Sequence, residues 1–118
     1  MAQKLSSNAM KKLEVLTEAR RKWDRVHSLV EQTASQKTGQ DMYLSQIKRT
    51  SEDVARVCMN GGYGPLAGNA GEMALIVRRG GSIQTKVRQM REIVGSVHNG
   101  IDRAEKGVMD SEKPVTED

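Results

Sequence analysis

"IQTKVRQMREIVGSVHNGIDRAEKGV", residues 83–108, spaces its apolar residues in a way that suits one secondary structure. Ile83, Val87, Met90, Val94, Val97, Ile101, Ala104 and Val108 follow one another in alternating steps of four and three. A helix brings such positions onto one face, whereas the two-residue period of a strand would scatter them over both sides. In heptad terms Val87, Val94, Ile101 and Val108 occupy a positions. Such a seam serves either a coiled coil between chains or a bundle within one chain. Lys86 at g and Arg91 at the following e would set like charges together in a parallel homodimer, and Ile93 widens the apolar face beyond a two-stranded seam. Both features point to a bundle, with leftover apolar surface for self-association.

Working back towards the N-terminus, Ser82 is placed to cap this helix and Gly80-Gly81 to stop the one before it. That one is a short helix, "EMALIVRR" at 72–79, with Asn69-Ala-Gly-Glu72 in the form of a cap. Before it lies "MNGGYGPLAGNAGE", 59–72, whose glycines read as a connector pinned by Tyr63 and Leu66. A helix over about Gly39–Met59 precedes the connector, opened by a capping box from Thr38 to Asp41. Its inner stripe is Met42 or Tyr43, then Leu44, Ile47, Val54, Val57 and Cys58. The first helix runs from about Asn8 to Ser35, with Val15, Leu16, Ala19, Trp23, Val26 and Val30 on one face and Leu13 at its margin. Glu18–Lys22 and Arg20–Asp24 are spaced as i,i+4 pairs on its polar side.

The sequence thus predicts an all-α fold: a small bundle of three long helices plus one short helix, with a Gly-rich loop between helices 2 and 3. Composition agrees. The chain has no Phe, one Trp and two Tyr but seven Met, so its core is aliphatic and sheet formers are scarce. Residues 1–109 form one helical domain carrying 18 Lys and Arg against 11 Asp and Glu, a net of +7. Residues 110–118, "DSEKPVTED", read as an acidic disordered tail. No apolar run is long enough for a membrane helix. A single cysteine, Cys58, rules out an internal disulfide and points to a reducing compartment, cytoplasmic or nuclear.

Chemistry is sparse. Gly61, Gly62, Gly64, Gly68 and Gly71 would offer backbone amides to an anion, but no preceding strand and no GxxxxGK[ST] supports a phosphate loop, and Glu72 would repel phosphate. His27 has Glu31 and His98 has Asp102 at i+4. Facing pairs of this kind on two helices would hold a divalent metal such as zinc, but the sequence does not set the helices face to face, so no metal or other cofactor is expected. No nucleophile has an oriented base beside it, so the chain is not read as an enzyme. Two binding functions remain. The first is a helical protein–protein interaction and assembly module, meeting a second copy or a partner helix through Val87, Met90, Val94, Val97 and Ile101. The second is RNA or DNA binding through the phosphate backbone, with Arg78, Arg79, Lys86, Arg88 and Arg91 as contacts.

Overall fold

A computed structural model describes residues 5–112. These residues form four helices: α1 (Ser7–Ser35), α2 (Gln40–Asn60), α3 (Gly64–Arg78) and α4 (Ile83–Ser111), with no strand among the described residues. α1 packs on α2 and α4, and α3 packs on α2 and α4, whereas the diagonal pairs do not bring their backbones together. This is the ring of an up-down-up-down bundle with short turns.

The seam of α4 faces inward. Val87, Met90, Val94, Val97, Ile101 and Val108 are buried, with Ile83, Ile93 and Ala104 packed at their edge. Opposite them stand Leu16, Ala19, Trp23, Val26, Leu29 and Val30 of α1. Trp23 is fully buried, and its indole Nε1–H donates to the Val94 carbonyl at 3.1 Å, so the largest core side chain leaves no orphaned donor. In α2, Leu44, Ile47, Val54 and Cys58 are buried and Tyr43 is half-buried, while Met42 is exposed.

The helix ends correct several expectations. Ser6 caps α1 through Ala9 N–H, and Ser82 caps α4 through Thr85 N–H, as its place in the sequence suggests. The expected capping box at Thr38 does not form. Gly39 takes φ +75° and is itself the cap residue, with no side-chain bond. Gln40 instead turns back, donating to the carbonyls of Thr33 and Gln36 at the end of α1.

The larger correction concerns the Gly-rich loop. Only Gly61, Gly62 and Tyr63 form a turn; Gly64, Gly68 and Gly71 lie inside α3, so the expected short helix is 15 residues long. Pro65 fits in its first turn, where a missing N–H costs nothing. Leu66, Ala67, Ala70, Met73 and Ala74 are buried along one side of it. Asn69 is no cap: it sits within α3, its Nδ2 donating to Ser96 Oγ of α4 at 2.8 Å.

The turn before α3 comes against α1. A Cβ on Gly61 would lie 2.5 Å from Val15 Cγ1, so the backbone passes where only glycine fits without a shift. Beyond that level the ends of α1 and α4 continue as an antiparallel pair. Ala9 and Val108 are buried there, and Glu112 accepts from Ser6 N–H at 2.9 Å. Hydrogen bonding from the Ser6 side chain, and then from its backbone N–H, holds the Glu112 carboxyl below its usual range. Asp110 and Ser111, expected in the tail, are helical; residues 113–118 of that segment lie outside the described residues.

Two stability predictions follow from local geometry. A Cβ at Gly68 or Gly71 would meet nothing within 4 Å. Gly68→Ala and Gly71→Ala should each stabilise the chain by about 1 kcal/mol, the helix-propensity difference between the two residues. Urea denaturation would register this as a raised midpoint at constant slope. Ser51 is fully buried and its Oγ has no hydrogen-bond partner among the described residues. Ser51→Ala removes an unsatisfied hydroxyl and should raise stability by roughly 1 kcal/mol in the same assay, since such groups cost about 1–3 kcal/mol.

Candidate interaction surfaces

The two sets of expected contact residues meet different fates. Val87, Met90, Val94, Val97 and Ile101 are between 0% and 5% exposed, each covered by the chain's own helices. They form the core and present no face to a partner. Any docking surface must therefore be apolar area that the bundle leaves open.

The flank between α3 and α4 is such an area. The two helices run antiparallel, bridged midway by Asn69 and Ser96. On one side of the bridge lies a groove of about 360 Å³ floored by Pro65, Leu66, Gly100 and Ala104, with Tyr63 and Arg103 at its rim. Leu66 reaches this floor because Gly100 lacks a side chain: a Cβ there would sit 2.8 Å from Leu66 Cδ1. On the other side a groove of about 500 Å³ is lined by Leu75, Ile76 and Ile93 between Glu72, Glu92 and Arg79. Leu75 is 51% exposed.

The basic set divides. Arg91 is engaged, its Nε and Nη2 donating to the two carboxylate oxygens of Glu31 at 2.9 and 2.8 Å. That fork holds the Glu31 carboxyl below its ordinary range, so the pair contributes fully above that range and is lost as pH falls below it, through the lowered value. Lys86 reaches back to the Val77 carbonyl at 3.3 Å, serving the C-terminal end of α3. Arg78, Arg79 and Arg88 are exposed and form no ion pair among the described residues. Arg78 and Arg79 stand at the end of α3, and Arg88 lies in the second turn of α4.

The α1/α4 flank holds a series of contacts that the sequence placed differently. Arg20 binds Asp102 at 2.6 Å and also Glu105, both on α4, rather than Asp24. Asp24 instead meets His98 Nε2 at 3.1 Å. His27 and His98 stand edge to face with ring centroids 5.7 Å apart, so these helices do face one another there. Of the expected i,i+4 pairs, Glu18–Lys22 is present at 3.7 Å. Among the described residues no group of three or more His, Cys, Asp or Glu side chains is arranged to hold a metal ion. Burial pushes the Cys58 thiol up to about 11, which leaves it protonated and unreactive at neutral pH. No helix is long and apolar enough to cross a membrane among the described residues.

No family model matches the chain, and neither the curated proteins nor the solved structures contain a match to it.

Proposed function

We propose that the chain is a non-enzymatic interaction module that docks an amphipathic helix, from a partner protein or a second copy, along the α3/α4 flank. The observation that carries this is the exposed Leu75 beside the groove that Ile76 and Ile93 line. A bundle that needed only to fold would gain by covering this apolar side chain. A helix laid in the groove would bury it. The seam of α4 supports the module indirectly, by making the platform rigid.

A second reading rests on a separate observation, the exposed Arg78, Arg79 and Arg88 on either side of the α3–α4 turn, which form no ion pair among the described residues. They suit a phosphate backbone, which would be bound without sequence preference and with strong salt dependence.

One comparison separates the two. The chain is purified from its native cells with and without nuclease, alongside Leu75→Asp and the double variant Arg78→Glu, Arg88→Glu, which spares Arg79 at the groove. Helix docking predicts a bound protein that survives nuclease and is lost with Leu75→Asp but kept by the double variant. Backbone binding predicts the reverse, with log affinity against log salt flattening by roughly 0.9 for each duplex contact removed. A partner unaffected by Leu75→Asp would contradict the docking site proposed.

A further inference from the structure

His27 and His98 have no part in that docking surface. They lie on the opposite flank, across the α1/α4 contact, and the fold brings them together from 71 residues apart in the chain. We propose that these two imidazoles form a binding site for a divalent transition ion of the copper, nickel or zinc class that bridges α1 and α4, with Asp24 orienting His98.

Three features support the assignment. The first is spacing. Two imidazoles on one tetrahedral ion, with metal–nitrogen bonds of about 2.0–2.1 Å, set their ring centres about 5 Å apart. The observed 5.7 Å would be closed by a small rotation of His27, whose side chain is exposed. The second is the tautomer. An ionised carboxylate only accepts, so the contact between Asp24 Oδ1 and His98 Nε2 makes Nε2 the N–H and leaves the lone pair on Nδ1 for a metal. Carboxylate-supported histidines of this kind are the usual ligand arrangement. The third is charge. Asp24 places a carboxylate beside His98, while Arg20 and Arg91 on the same flank are each paired with carboxylates of their own.

The ligand class follows from the donor set. Two neutral nitrogens suit borderline and softer ions and offer little to magnesium or calcium, which take oxygen. The expected order is copper above nickel and zinc. With two protein ligands and water in the remaining positions, the site binds well below the strength of a four-ligand structural zinc centre. Because it joins two helices of the folded state, the ion raises thermal stability.

The test is a calorimetric titration of the untagged full chain with zinc, copper and magnesium chlorides, accompanied by thermal melts. His27→Ala, His98→Gln and Asp24→Asn are run beside the wild type. Zinc and copper should raise the wild-type Tm progressively with concentration, and magnesium should not. Loss of either histidine should weaken ion affinity at least about tenfold, and Asp24→Asn by roughly 10–100-fold through the lost orientation of His98. His27 is exposed, so His27→Ala keeps the fold and decides the matter should His98→Gln prove unstable. Wild-type affinity in His27→Ala, a magnesium response equal to that of zinc, or no response at millimolar ion would each overturn the site.

Discussion

Val94→Asp together with Val97→Asp is expected to leave the chain without a folded state. The two residues are 5% and 0% exposed in the middle of α4, and Trp23 hydrogen-bonds to the Val94 carbonyl beside them. A carboxylate placed there has no cationic partner, and the effective penalty is several kcal/mol per ion. A domain of this size holds about 5–15 kcal/mol in total, so two such charges exhaust it. The pair also lies where α1 and α4 are joined, and both residues sit on the one inward face of α4. Far-UV circular dichroism should show the helical signal collapsing at 25 °C. Retained helicity with an unchanged sedimentation coefficient would mean that the face is not internal.

Trp23→Ala is the next most severe single change. Trp23 is the largest fully buried side chain in a core that has no Phe, and its neighbours are aliphatic residues that cannot expand to fill the space. Truncating a buried Trp costs about 3–5 kcal/mol, transfer and cavity taken together. The loss also frees the Val94 carbonyl from its extra donor. Trp23→Phe, which restores most of the volume but not the hydrogen bond, should recover the greater part. Urea denaturation of the three proteins measures this order directly. Equal stability of Trp23→Ala and wild type would show that the side chain is not enclosed.

Much of the architecture was legible in the sequence because periodicity reports burial. The alternating four- and three-residue steps of α4 translate into its buried face, and the Leu16-to-Val30 stripe of α1 does the same. The start of α3 was hidden by propensity. Gly64, Gly68 and Gly71 each disfavour helix by about 1 kcal/mol against Ala, so the segment read as a connector. Burial of Leu66, Ala67, Ala70, Met73 and Ala74 overrides that cost. Their spacing, and Pro65 in first-turn position, were the signals for a longer helix.

The site residues were harder to read. A heptad seam looks the same whether its partner is another chain or the same one, so the sequence could name Val87 to Ile101 without saying what covers them. Polar pairing failed for a related reason. Arg20, Asp24, Glu31, His98 and Asp102 each have a candidate partner one turn away on their own helix. In the bundle they find partners on the neighbouring helix, or share one there, as Arg20 does with Asp102. A single helix displays its i,i+4 neighbours but not the register of the helix that will lie against it. The contact of His27 with His98, and the open α3/α4 flank, are products of that register.

The claim on which the rest stands is that the α4 seam is buried by this chain alone. Amide hydrogen exchange over residues 87–101, followed through roughly a hundredfold dilution, tests it most directly, since exchange from an intermolecular helix pair depends on concentration. Protection as strong as that of residues 16–30, and unchanged on dilution, is the expected result. Protection of 87–101 that falls as the protein is diluted would show the seam to be shared between chains and would contradict the account.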